Sequence, residues 1–156
     1  MSGAANGDRG LREEIAAFLD SQHVMSLATV VEGAAHAASV MYAAEDLVLY
    51  WASDQKTRHS LAIESDPRVS ATVAPDYEDF RLIRGLQIAG RARRLSEAAH
   101  ARELLRRRFS FLRDAALPAA LLAALDKSAY YRLDPDTVTL IDNTRTFGSR
   151  RVLRIS

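Results

Sequence analysis

The chain has 156 residues, of which 48% are hydrophobic and 26% are charged, and its formal net charge is +1. These values are typical of one globular domain, and a charge so near zero gives no reason to expect nucleic acid or an anionic membrane as a partner. The chain has no cysteine, so disulfides, thiolate metal sites and cysteine nucleophiles are excluded.

The N-terminal stretch MSGAANGDRG has no periodic apolar pattern, and we expect residues 1–10 to form a flexible tail. It also lacks the apolar segment of a secretory signal, and no apolar run in the chain is long enough to cross a bilayer. No linker or internal repeat interrupts the remainder. We therefore expect a single domain over residues 11–156 in a cytoplasmic protein.

Apolar periodicity in the first half of the chain predicts a helix, a meander of short strands and a crossover helix. In chain order, the predicted elements are a helix over 11–20, a hairpin of strands 23–31 and 36–42, a strand over 47–52, a helix over 56–66 and a strand over 68–74. Both faces of the strand over 47–52 are apolar, which is typical of a strand that is buried on both sides.

The second half begins with a long strand over about 82–95 that contains Gly90, and a glycine in mid-strand indicates a bulge or bend. The remaining predictions are a helix over 97–112 capped by Ser96, a short helix over 118–125, and a strand or strand pair over 130–133 and 138–141. Strands joined by turns favour an antiparallel sheet, and about six of them with a bend favour a small barrel.

The polar cluster SDQKTRHS, residues 53–60, follows a buried strand and precedes a helix. If the helix begins near Lys56 or Thr57, its free N–H groups and dipole favour an anion there. The side chains that would bind a terminal phosphate are Arg58 as a bidentate donor, Lys56 as a point charge, the hydroxyls of Ser53 and Thr57, and the ring of His59. Taken alone, the cluster is better interpreted as a helix cap with solvated charges.

Other candidate features are weaker. The four histidines have no i, i+4 pairing, which argues against a zinc site. Arg106-Arg107-Arg108 spreads around a helix on which Glu103 can pair with Arg107, which is typical of a solvated face. Gln87 lies on the polar face of the long strand, where it is either a ligand-binding amide or a plain exposed residue.

Two longer stretches resemble a known family. LYWASDQKTRHSLAIESDPRVSATV and IRGLQIAGRARRLS are similar to the phosphate-binding segment and the long strand of the pyridoxamine 5′-phosphate oxidase-like, FMN-binding split-barrel superfamily. Thr57-Arg58-His59 and Asp66-Pro67-Arg68-Val69 match its motif. The ending DNTRTFGSRRVLRI resembles the YhbP-like branch of small uncharacterised bacterial proteins.

The resemblance implies a mainly β, six-stranded antiparallel split barrel with flanking helices. It also implies a homodimer with FMN in clefts between the subunits, and flavin-dependent oxidoreductase or flavin-reductase-like activity on a small molecule. No metal and no single catalytic residue are implied. By position, the cofactor contacts would come from Ser53, Lys56, Thr57, Arg58 and His59 for the phosphate, from Trp51 and Ala52, from the backbone of Ser39, Val40 and Met41, from Gln87, and from Arg150 or Arg151 of the partner.

Two departures from the family pattern shape the expected function. The strand HAASVMYAA lacks the Arg and Lys with which true pyridoxamine phosphate oxidases grip flavin and substrate phosphate, so pyridoxal phosphate synthesis is not expected. His59 stands where lysine is usual, which lowers the positive charge unless the pKa of the ring is raised. The alternatives are an F420-dependent reductase, or a non-catalytic stress-response module that binds flavin or haem.

Overall fold

The computed structural model describes residues 2–155, and it is mainly β. The elements are α1 (Ser2–Ser21), β1 (Val24–Val31), β2 (Ala34–Met41), β3 (Ala43–Glu45), β4 (Val48–Asp54), α2 (Arg58–Ser65), β5 (Arg68–Val73), β6 (Arg84–Arg94), α3 (Ala99–Arg108), α4 (Ala119–Lys127), β7 (Ser128–Asp142) and β8 (Arg150–Arg154), with 3₁₀ turns at Phe80–Leu82 and Ser110–Arg113. The predicted mainly β class with flanking helices is confirmed.

The strands form one antiparallel sheet in the order β2-β1-β5-β6-β7-β4-β3, and β8 pairs with β7 beside this path. The sheet curls until β2 lies against β4, so the barrel nearly closes without a hydrogen-bonded ladder between those two strands. Eight strands are present within the described residues rather than the six expected, because the short strands β3 and β8 add to the predicted set.

The core lies inside the curled sheet and is closed at one end by α1. Ile15 and Leu19 of α1 are fully buried, as the helical spacing of apolar residues predicted. At the centre, Trp51 of β4 stacks on Tyr131 of β7 with ring centroids 5.6 Å apart and planes inclined by 15°. Because β4 buries residues on both faces, its predicted two-sided burial is confirmed.

The bulge predicted at Gly90 is also confirmed. The register between β6 and β7 shifts between Ala89 and Gly90, and Gly90 lies opposite Pro135. A Cβ on Gly90 would lie 2.2 Å from the carbonyl oxygen of Asp134 and 2.8 Å from the Cα of Pro135. Only glycine allows the two backbones to come this close, and the bulge leaves room for a proline that cannot donate to the ladder.

Two predictions are corrected. Residues 2–10 continue α1 instead of forming a separate tail, since no proline interrupts the helix that the buried Leu11 and Ile15 anchor. Residue 1 lies outside the described residues. The helix α3 begins at Ala99 after Ala98, without the side-chain cap expected from Ser96.

The segment 130–141 is one continuous strand, which was one of the two predicted alternatives, and β8 was missed. β8 was missed because only Leu153 of its five residues is buried, which leaves no clear alternation in the sequence.

We expect Gly90→Ala to lower the free energy of unfolding by about 1–3 kcal/mol, because the new Cβ forces β6 and β7 apart. Gly7→Ala is the matched control: it lies in α1 with nothing within 4 Å of a Cβ, so the same change should be neutral or stabilise by up to about 1 kcal/mol. Urea denaturation measures both. Equal effects of the two substitutions would contradict the close-approach explanation.

Candidate anion and cofactor site

The turn from β4 into α2 is held by Thr57, which is the N-cap of α2. Its Oγ1 accepts a hydrogen bond from the backbone N–H of Ser60 at 3.3 Å and donates to the carbonyl of Asp54 at 2.9 Å. The Asp54 carboxylate accepts from the N–H of Lys56 at 2.8 Å. The turn therefore orders its own backbone, and the helix-cap interpretation of Thr57 is confirmed.

His59 points inward from the first turn of α2 and is buried, with 9% of its surface exposed. Its Nε2 lies 2.9 Å from Ser53 Oγ and 3.2 Å from Thr57 Oγ1, so the ring joins a buried cluster of hydroxyls. Burial lowers the pKa of His59, and repulsion from His36 lowers it further. The ring is thus held neutral, and it does not supply the positive charge that a lysine would supply in its place.

Lys56 and Arg58 are exposed, and within residues 2–155 neither side chain forms an ion pair with a carboxylate. Both line a shallow depression of about 430 Å³. The other lining residues are Val31, Leu61, Ala62 and Ser65. The depression thus runs along one side of α2 and carries two cations at the N-terminal end of the helix, where the helix dipole also favours an anion.

The outer face of the sheet carries unusually short side chains across four strands. Strand register aligns two rows across β2, β1, β5 and β6: Ser39, Ser26, Thr72 and Gln87 in one row, and Ala37, Ala28, Ser70 and Ala89 in the next. We call these eight residues the small-residue face. Val31, the last residue of β1, lines the Arg58 depression, but alternation along β1 puts its side chain on the face of Met25 and Leu27, opposite the small-residue face.

Strand β2 forms an edge of the sheet, so part of its backbone has no ladder partner within the chain. Ser39 and Met41 point outward, whereas Val40 is buried in the core. The structure thus brings Ser39 and Gln87 to the same outer face of the sheet.

Other sequence-predicted residues lie elsewhere. Trp51 is fully buried and stacked on Tyr131, so it shapes the core rather than the surface of the depression. Ala52 points to the opposite side of β4, towards α3. Arg150 and Arg151 lie on β8; the Nη1 of Arg151 is 2.5 Å from the carboxylate of Glu14, and Arg150 is exposed.

Sequence reasoning missed Ser60, which is fully buried with its Oγ 2.7 Å from Thr57 Oγ1. The signal was present: Ser60 is the third helical residue after Thr57, and a capping threonine bonds to the backbone N–H at that position. It also missed His36 as a neighbour of His59, because that contact joins β2 to α2 and is invisible in the linear order.

The described residues contain neither a cluster of metal ligands nor a membrane-spanning helix. Over 2–155, no group of three or more histidine or carboxylate side chains is close enough to hold a metal ion. In the same range, no helix combines the length and the apolar character needed to cross a bilayer.

The pyridoxamine 5′-phosphate oxidase family model matches residues 11–142. The UPF0306 protein YhbP of Escherichia fergusonii is 30% identical over 142 residues, which cover 88% of this chain and 89% of that protein. The chain therefore belongs to the pyridoxamine 5′-phosphate oxidase-like split-barrel family and, within it, to the UPF0306 branch that includes YhbP.

Solved structures show the same fold at low identity. A heme binding protein from Mycobacterium smegmatis has a TM-score of 0.74 at 21% identity, with 92% of this chain and 57% of that chain covered. A FAD-binding protein from Mesorhizobium loti has a TM-score of 0.64 at 23% identity, with 80% and 89% covered. The split-barrel fold expected from the sequence is thereby confirmed.

The lowered pKa of His59 predicts a pH dependence of stability. Below the ordinary value of 6.5, the unfolded chain binds a proton that the folded chain resists, so the free energy of unfolding should fall as pH drops from about 7.5 to about 5.5. In His59→Gln this fall should be smaller. Urea denaturation across this range measures it, and an equal fall in both proteins would show that His59 titrates normally.

Proposed function

We propose that this protein binds FMN at a homodimer interface and uses it as a flavin-dependent oxidoreductase on a small molecule. The observation that carries the proposal is the pair of cations Lys56 and Arg58, which have no ion-pair partner within residues 2–155 and line a depression along α2 at its N-terminal end. A cytoplasmic location belongs to the same proposal.

The donor set fits a terminal phosphate. Arg58 offers a planar fork for two phosphate oxygens, Lys56 offers a mobile charge, and the N-terminal end of the α2 dipole favours an anion nearby. The hydroxyls of Ser53 and Thr57 are already engaged with His59, so their part is to fix the turn rather than to bind phosphate. We therefore assign the phosphate mainly to Arg58 and Lys56.

The small-residue face suits a flat ring and a second subunit. An exposed antiparallel face usually carries long polar side chains, whereas alanine, serine and threonine let another surface come close to the backbone. Gln87 is the one long side chain of the eight, and its amide can both donate to and accept from the edge of a flavin ring. The edge strand β2 adds unpaired backbone groups beside Ser39.

Bound FMN would supply the transfer of a hydride or of electrons. This chain's residues would bind the phosphate, orient the ring and, with the partner subunit, exclude water from it. Among the described residues that line the depression there is no carboxylate and no histidine. The substrate would accordingly be selected by shape and by contacts to the flavin.

Arg58→Ala should weaken FMN binding by about ten- to a hundredfold, because hydrogen bonds to charged groups contribute about 1.5–3 kcal/mol each. Riboflavin has the same ring without the phosphate, so its affinity should not change. Quenching of flavin fluorescence measures both affinities.

Arg107→Ala is the matched control for this experiment, since Arg107 is exposed on α3 and paired with Glu103 at 3.1 Å. It should bind FMN as the unchanged protein does. If the unchanged protein shows no saturable FMN binding, or if Arg58→Ala weakens riboflavin as much as FMN, the phosphate assignment is wrong.

Ser70→Arg places a long cation in the middle of the small-residue face and should convert a dimer into a monomer while removing FMN affinity. Ser70 is exposed, so the fold should tolerate the change. Sedimentation velocity measures the mass, and Ala99→Arg on the exposed start of α3 serves as the control. A dimer that survives Ser70→Arg would place the interface elsewhere.

The alternatives give distinct signals in the same experiments. Displacement of FMN by F420 at equal concentration would indicate the deazaflavin reductase. Haem binding would give a Soret band that is lost on substitution of its histidine ligand, and His59 is a poor candidate because its Nε2 is engaged with Ser53. Flavin binding without turnover of quinones, nitro compounds or nicotinamides would indicate the non-catalytic module.

A further inference from the structure

A second cavity, separate from the Arg58 depression, lies between the outer side of the barrel and the helical insertion after β6. Its volume is about 400 Å³, within the range of small-molecule sites. The floor is Ala52 of β4 and Tyr130 of β7, and the walls are leucines of α3, α4 and the segments between them. The lining leucines are Leu105, Leu112, Leu117, Leu122 and Leu125.

The helix α4 forms one wall of this cavity and is poorly packed. Its sequence AALLAALDK is almost wholly apolar, yet none of its residues is buried, and Leu122 is 49% exposed. Complete burial of a leucine side chain contributes about 1.5–3 kcal/mol of stabilisation. An apolar molecule in the cavity would therefore stabilise α4 by burying its leucines. The packing of α4 is thus incomplete on the side where the cavity lies.

The charged side chains that line the cavity favour a negatively charged occupant. Arg102 and Arg106 are four residues apart on α3 and line the same cavity, so their side chains lie on one face of that helix. Neither forms an ion pair within residues 2–155, although the guanidinium of Arg102 lies 5.4 Å from the ring centre of Tyr130. The other charged lining residue is Asp126, so two cations face one anion.

We propose that this cavity binds a small amphipathic carboxylate, with its apolar chain among the leucines and its carboxylate between Arg102 and Arg106. Arginine matches a carboxylate with two parallel hydrogen bonds, and a chain of methylenes matches the apolar walls. An alkylamine would meet two like charges, and an alcohol would leave both guanidinium groups without an anion. The proposal stands without the flavin site, because the two sites share no lining residue.

The probe is octanoate, titrated into the full-length protein by isothermal calorimetry and compared with hexanoate and butanoate. Each added methylene should tighten binding by up to about fourfold, since its burial contributes about 0.8 kcal/mol. Octylamine and octanol should bind much more weakly than octanoate. Amide hydrogen exchange over 119–127 should slow when octanoate binds, because the occupant completes the packing of α4.

The variants separate the head group from the chain. Arg102→Ala and Arg106→Ala should each weaken octanoate binding about tenfold or more, whereas Arg107→Ala, on the same helix outside the cavity, should not. Leu122→Glu puts a carboxylate against the ligand and should abolish binding; because Leu122 is half exposed, the fold should survive, which circular dichroism checks. Arg58→Ala should leave octanoate binding unchanged, so failure of this proposal and failure of the FMN proposal are distinguishable.

Three results would overturn the proposal: no saturable heat with octanoate, equal affinity for octylamine, or equal weakening by Arg107→Ala and Arg102→Ala. A fourth is that Leu122→Glu turns a dimer into a monomer while octanoate does not bind. In that case α4 is covered by a second copy of this chain rather than by a ligand.

Discussion

The barrel depends on one close approach, between Gly90 of β6 and the Asp134 carbonyl of β7. These are the two longest strands of the sheet, and the register shift between them bends both. That bend brings β2 round to β4 and encloses Trp51 and the rest of the core. Because the contact is between backbones, side-chain repacking elsewhere cannot replace it.

Strand β4 contributes residues to the core, to the apolar cavity and to the anion site. Three successive residues have three different surroundings: Trp51 lies in the core, Ala52 in the cavity under the helical insertion, and Ser53 against His59. Alternation along a strand separates the first two, and the end of the strand frees the third to join the turn. One short segment therefore supports the core, the apolar cavity and the order of the anion site.

The anion site divides its tasks between buried and exposed side chains. Ser53, Thr57, His59 and Ser60 satisfy one another in a neutral cluster and fix the start of α2. Lys56 and Arg58 are left exposed and unpaired within the described residues. A neutral histidine fits this arrangement better than a lysine, because a buried ammonium would need a charged partner that the cluster does not contain.

The sequence by itself determined six of the strands in chain order, the bend at Gly90 and the cation-bearing start of α2, because periodicity, glycine geometry and capping are local properties of the chain. It also carried the family motif through Asp66 and Pro67. It could not decide the state of His59, whose neighbours Ser53 and His36 come from two other strands. Nor could it reveal β8, the small-residue face or the leucine cavity, since each is assembled across strands or helices distant in sequence. Only the tertiary structure decided the charge state of His59, strand β8, the small-residue face and the leucine cavity. The burial of a side chain and the identity of its hydrogen-bond partners depend on which distant segments the fold brings together.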